Sequence, residues 1–484
     1  MPFDTSVHTT QTRLKWWLIA LSLLTFHLTG SYAWGAGFYI PGRGVQPLAR
    51  GGASIGGGET LQSLWYNPAN LVELKGFQTL IDAGVIFTHV TYQRASRIDD
   101  NGQLKTYDPV KNEAPPLPDP SMLFSYGFKK PNITIAGGIY APYAAHLKFP
   151  EKGAQRYALI DLTESLFVIS HIAVAWSPHP RFRLGAGIQN MSASIRLASA
   201  TSAYLGIFGG PEDKELDLYA EAVGDSWINI TANAGVWGRV VDTSNFALDL
   251  AASIQLPVSI TLNGKLKVRL PTHALFDDAT VEGEDTTTSL NLPLILRAAV
   301  RATLMNKHNI ELAFVYEGWS SLKEVTINPI DPPGIWVNNV PTIGRYKIPD
   351  TILPRDFQDA LSVRLGGTFT LTSSIQLHAG YAFETSAIPD ETHSVFLVDA
   401  NKHLLGIGIS FRWKKMVFDL SYGHYFQHTR DVQKTTCGQQ RPDGSKIRCM
   451  RQINPLNPDG AIVIGEGIYE SSYDVIGFSW RAAF

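Results

Sequence analysis

Thirteen histidines are spread along the chain, and the hydroxyl–imidazole pairs at short spacing are the first residues that could do chemistry. Ser421 and His424 lie three apart, and Ser170 and His171 are adjacent. On a strand both spacings put the two side chains on opposite faces, whereas a nucleophile and its base must meet on one side. These residues read as satisfied lumen or loop groups, and the chain as no enzyme. The histidines show no metal-ligand spacing. Gly56-Gly57-Gly58 lacks the lysine and the strand–helix setting of a phosphate loop. No cofactor is called for. Cys437 and Cys449 share one polar segment and are placed to pair after export. Closing so short a loop is worth about 3 kcal/mol on the chain-entropy account.

The elements that hold these residues fall into two kinds. From Ala36 to about Gly76 there is no strand-like alternation, and glycines at 42, 44, 51, 52 and 56–58 break the segment into short pieces. Thr60 can cap a turn running to Trp65, which ends where Asn67 precedes Pro68. After Gly76 the chain reads as a succession of alternating strands. An irregular glycine-rich piece ahead of such a series predicts a plug inside a barrel.

Composition agrees with a strand-and-turn protein. Of 484 residues 17% are charged and 11% aromatic, with 42 Gly and 6 Met. The net charge of −2 gives nucleic acid no purchase as a partner. Arg13 and Lys15 precede an apolar run, Trp16–Leu28, followed by small residues to Ala36. That is a secretory signal peptide, residues 1–35, with cleavage after Ala33 or Gly35. Its apolar run is too short for a membrane anchor, and no other apolar run is long enough to span a bilayer as a helix.

The period of 2 is clearest in Leu405–Trp413, where odd positions are apolar and even ones are Gly, Ser or Arg. It recurs at fourteen sites: 77–93, 120–130, 132–143, 165–177, 181–198, 226–240, 245–262, 286–304, 308–324, 358–371, 374–386, 402–413, 415–428 and 469–484. Soluble strands are usually about 5–6 residues long, so runs of this length suit tilted strands that cross a membrane. Links alternate strictly between brief turns, such as Lys130-Pro131 and Lys414, and long loops, such as 94–119 and 429–468. That is the outer-membrane pattern. The chain ends on a strand with a terminal aromatic, Phe484. The fold class predicted is all-β: a 14-stranded antiparallel transmembrane β-barrel, residues 77–484, plugged by an N-terminal hatch, residues 36–76.

With that architecture the sequence resembles the FadL/TodX family of outer-membrane transporters for long-chain fatty acids and other hydrophobic compounds. Ala36-Gly37-Phe38 looks like the family's mature N-terminus, and Asn67-Pro68-Ala69 matches its hatch motif. Gly224-Asp225-Ser226-Trp227 with Asn233-Ala234-Gly235, Leu290-Asn291-Leu292-Pro293 and Ile388-Pro389-Asp390 resemble later segments. The resemblance implies passive uptake, with cargo leaving sideways at a kinked third strand. It also implies a bacterial outer-membrane location among lipid and lipopolysaccharide, as a monomer.

In the third strand Pro142 cannot donate to the ladder, and Gly137-Gly138 supply permissive backbone before Tyr143. The Asn67 amide is the expected partner for the groups left stranded there. A carboxylate-bearing cargo needs a cation in an apolar pocket. The family's fifth-strand arginine aligns with Leu197, leaving Arg196 one position away and on the other face unless a bulge intervenes. Arg355 is the second candidate. Leu205, Ile207 and Phe208 are expected capture residues in the loop after strand five. The rival readings are an aromatic or alkane channel, a general porin, an outer-membrane hydrolase, and an adhesin working through loop 429–468.

Overall fold

The computed structural model describes residues 42–58, 60–99, 102–143 and 145–484. Phe38 and the predicted signal segment 1–35 lie outside them.

Fourteen antiparallel strands close into a barrel. They are β1 (Gly76–Arg94), β2 (Leu117–Gly127), β3 (Ile133–Tyr143), β4 (Leu166–His179) and β5 (Phe182–Ser202). Next come five interrupted strands: β6 (Asp217–Ser226, Ile230–Asp242), β7 (Phe246–Gln255, Val258–Arg269), β8 (Asp285–Leu292, Ile295–Leu304), β9 (His308–Glu317, Glu324–Pro329) and β10 (Thr351–Pro354, Ala360–Thr370). The set ends with β11 (Ile375–Glu384), β12 (Lys402–Trp413), β13 (Met416–Gln427) and β14 (Gly467–Ala483). β1 pairs with β14 from Gln78↔Ala483 to Arg94↔Gly467, which closes the wall. Among the described residues no helix is long and apolar enough to cross a membrane.

The alternation has its predicted sense. On β12 Leu405, Ile407, Ile409 and Phe411 point outward and are exposed, while Leu404 and Ser410 are buried. A continuous outer band of large apolar side chains is stable only against lipid. The terminal Phe484 ring lies 5.8 Å from Phe77 on the first strand.

Strands six, seven, nine and ten run further than their predicted spans, through residues 217–225, 263–269, 325–329 and 351–354. Each of β6 to β10 is interrupted, at Trp227–Asn229, Leu256–Pro257, Pro293–Leu294, 318–323 and 355–359. Proline at two of the breaks, Pro257 and Pro293, and polar residues beyond them, such as Lys265 and Lys267, mask the continuation in the sequence. Polar side chains satisfy the broken backbone: Asn229 Nδ2 donates to Met191 O at 2.8 Å and Thr231 Oγ1 to Leu256 O at 2.9 Å.

Residues 42–75 carry two short helices, α1 (Val45–Ala49) and α2 (Ser63–Tyr66), and a 3-10 turn, Pro68–Glu73. Nearly all of these residues are buried. Glu311 on β9 accepts from Ile55 N (2.7 Å) and Gly56 N (3.0 Å), and Arg50 donates to Asn309 (2.7 Å) and Thr368 (2.6 Å). Trp237 Nε1 on β6 donates to Gly56 O at 3.0 Å. With no strand ladder of its own, the segment is held by wall side chains that satisfy its backbone.

Candidate functional site: an apolar cavity and a break in the wall

A cavity of about 590 Å³ lies under the long loops, lined by Leu197, Leu218, Val268, Leu353, Phe396 and Met450 among others. Arg355 reaches it from the link between the two pieces of β10 and is 2% exposed. Its guanidinium lies 4.3 Å from the Phe396 ring, and Nη1 donates to Met450 Sδ at 3.4 Å. Nε and Nη2 have no hydrogen-bond partner among the described residues. A charge in so apolar a wall is costly unless it is paired.

Arg196 does not share that site. It points to the face opposite Leu197, which lines the cavity, and forms ion pairs with Glu164 (2.5 Å) and Glu221. β5 pairs with β6 from Ala193↔Ser226 to Ser202↔Asp217 without a register shift, so no bulge turns Arg196 inward. Leu205 is half-buried beside Leu216 and Phe276. Ile207 and Phe208 stand exposed on the loop, outside the cavity lining.

The wall breaks at β3. Against β4, Tyr140 pairs with Ile169 and Tyr143 with Phe167, so Ala141 and Pro142 oppose the single residue Val168. This is a bulge. Against β2, pairing runs from Gly127↔Thr134 to Met122↔Ile139 and stops. Residues Leu117–Ser121 pair only with β1 beyond that point. Pro118, Pro120 and Pro142 stand at the unpaired margins, where none can donate. Gly138 lets the strands close below: a Cβ there would lie 2.4 Å from Met122 O. Gly137 faces β4, where an added Cβ would lie 3.0 Å from His171 O.

Asn67 is not the partner of this break. Its Nδ2 donates to Val236 O on β6 (3.1 Å) and to Ile55 O (3.1 Å), while Oδ1 accepts from Ala69 N (3.1 Å). Pro68 and Ala69 instead press on β5, where a Cβ on Gly185 would lie 2.4 Å from Ala69 N. The partner at the break is Arg43, whose Nε donates to Ala141 O at 3.0 Å. Sequence reading treats Gly42-Arg43-Gly44 only as a chain break, and nothing in its spacing points across the barrel.

A polar chain also missed from sequence joins the segment to the break. Asn233 on β6 donates to Leu64 O (2.9 Å) and its Oδ1 meets His171 Nε2 (3.1 Å), while His171 Nδ1 meets Tyr140 OH (2.7 Å). Trp65 packs edge-on against Tyr140 and Tyr143, at 5.9 and 6.3 Å between ring centroids. Cys437 and Cys449 form a disulfide, Cα–Cα 5.8 Å, and both line the cavity.

A closed fourteen-stranded barrel with a lipid-facing apolar wall and an apolar cavity under its loops defines an outer-membrane transport barrel. The chain belongs to the outer membrane protein transport protein family (OMPP1/FadL/TodX), whose sequence pattern matches residues 26–452. No curated protein matches the sequence. Among solved structures, a Pseudomonas aeruginosa FadL homologue superposes with a TM-score of 0.73 at 13% identity, covering 93% of this chain and 100% of its own. The P. putida toluene transporter TodX gives 0.60 at 13% identity, with 93% and 99% covered. The Ralstonia pickettii toluene transporter TbuX gives 0.58 at 13%, with 92% and 98% covered. The family's members are transport proteins of the outer membrane that pass hydrophobic compounds.

Proposed function

We propose that this protein carries long-chain fatty acids or similar hydrophobic molecules passively across the outer membrane and releases them sideways through the break at β3. One observation carries the reading: the cavity that holds Arg355 shares part of its apolar wall with a second, smaller cavity on the side of that break. A smaller cavity of about 50 Å³ shares Leu197, Ala222, Ile327 and Phe396 with the large one. It is lined further by Ala145 and Phe167, and Phe167 is the residue paired with Tyr143. An apolar chain gains about 25 cal/mol for each Å² it buries along such a lining.

In this reading residues 36–76 act as a hatch that blocks axial flow, and Ile207 and Phe208 offer apolar contact at the outer end. The two unpartnered nitrogens of Arg355 favour a cargo with an anionic head, since a carboxylate would pair a guanidinium that the protein leaves unpaired. The second reading is a neutral hydrocarbon, the cargo for which TodX and TbuX are described. Mass spectrometry of the molecule that copurifies with protein extracted from its native membrane separates the two. A fatty acid supports the first, a neutral hydrocarbon the second, and an empty cavity in protein that also fails to bind oleate counts against both.

A further inference from the structure

Arg43 touches both lips of the break. Nε donates to Ala141 O on β3 at 3.0 Å, and Nη2 faces Asp119 Oδ1 on β2 at 3.5 Å. The guanidinium also lies over the Tyr140 ring, 4.7 Å from its centroid, and its side chain is 4% exposed. Between these lips the strand-to-strand pairing has ended at Met122 and Ile139. The three prolines at the margins cannot extend it.

We propose that Arg43 is the latch of the lateral exit: it bridges β2 and β3 where their ladder is missing, and its withdrawal widens the gap. The inference rests on the lateral-release reading for its purpose, though not for its geometry. Arginine suits the task because its planar fork directs separate N–H groups at two partners, while lysine is a single point charge. The two grips are unequal. The Ala141 bond has ordinary length, whereas the Asp119 contact is at the long end for an ion pair, so β2 is the lip that releases first.

The latch is tied to the buried segment that carries it. Tyr66 OH donates to Arg43 O at 2.8 Å. Trp65, the neighbouring residue, has its ring against Tyr140 and Tyr143 on the kinked strand. A shift of residues 42–66 therefore draws Arg43 and the ring contacts away from β3 together. On the neighbouring strand β1 a second acid, Asp82, accepts from Gln62 (2.5 Å) and from Ser121 on β2 (3.1 Å). The segment thus holds the β1–β2 side of the gap at two points.

The test measures the gap directly in the full-length protein in nanodiscs. Spin labels are placed at Pro118→Cys and Ala141→Cys, the native cysteines being joined to each other, and the distance distribution is read by double electron–electron resonance. Arg43→Gln should shift the distribution to longer distances and broaden it, with Arg43→Lys intermediate. Asp119→Asn, which alters one atom on the opposite lip, should widen it also and guards against a hatch that fails to fold. Labelled-oleate uptake by Asp119→Asn should rise. Distributions that superpose on that of the intact latch in all three variants overturn the proposal. If Pro142→Val carries oleate at the wild-type rate, the lateral route fails, and the distance measurement still decides whether Arg43 bridges the gap.

Discussion

Asn67 occupies the space that a side chain at residue 235 would need: a Cβ built on Gly235 would lie 2.0 Å from Asn67 Oδ1. The buried segment that carries Asn67 and the sixth strand are therefore fitted to each other, residue against residue. Gly235→Ala should displace the Asn67 amide and cost it the bond to Val236 O, destabilising the protein by roughly 1–3 kcal/mol through the stranded buried groups. Asn67→Ala should cost a similar amount. Because both changes break one contact, the double variant should cost little more than either alone. Denaturant unfolding followed by heat-modifiable gel mobility checks this, and fully additive losses would contradict it.

Arg355→Met should weaken binding of a fatty acid by about 10- to 100-fold, the worth of one charge-assisted hydrogen bond of about 1.5–3 kcal/mol. Binding of a neutral alcohol with the same chain should barely change. Displacement of a fluorescent probe from purified protein measures both. Equal losses for the two ligands would mean that Arg355 supports the cavity wall and does not hold a head group.

The barrel is legible in the sequence because lipid on one side and a filled lumen on the other impose one period along every strand. The candidate site is legible in part. Pro142 and Gly138 announce a backbone disturbance by their types alone, and the break lies there. What they disturb depends on neighbours far along the chain. Arg43 meets Ala141 across 98 positions, and no local pattern carries such a contact. Asn67 falls to the wrong wall in a sequence reading for the same reason, since an amide can satisfy whichever carbonyl the fold brings near. At Arg196 the alternation itself holds the answer: a residue one place from a cavity-lining leucine faces the other way.

A loop staple predicts a response to acid. Glu212, in the loop after β5, is met by Arg94 (2.6 Å), Arg97 (2.9 Å), Lys105 (2.8 Å) and the Tyr107 hydroxyl (2.7 Å). Burial pushes its carboxyl up, but these cations and donors outweigh it and hold the group at about 2, below its ordinary 4.5. A carboxylate lowered on folding stabilises above its unfolded value and loses that contribution as pH falls from 4.5 towards 2. Amide protection in residues 94–107 and 203–216, taken relative to the intrinsic exchange rate at each pH, should fall across that window, with the barrel strands unaffected. Glu212→Gln should show low protection there at every pH.

The disulfide roofs the cavity. Cys437, Cys449 and Met450 line it, and Arg448 ties the same loop down through Asp356 (2.7 Å) and Glu324 (2.6 Å). Replacing both cysteines by serine should leave the barrel intact, loosen residues 434–453 in amide exchange, and speed ligand release. Intact-mass measurement before and after reduction and alkylation should show one bond in protein from the native membrane. Two free thiols there would contradict the assignment.

The central claim is that cargo leaves through the wall beside Pro142, and the most direct measurement is labelled-oleate uptake by Pro142→Val in a strain lacking its own transporter. Valine restores an N–H and a β-branched side chain, favouring a regular strand and a closed wall. Outer-membrane abundance is matched by heat-modifiable mobility. Uptake severalfold below wild type is the predicted result, and wild-type uptake at matched abundance would contradict lateral release.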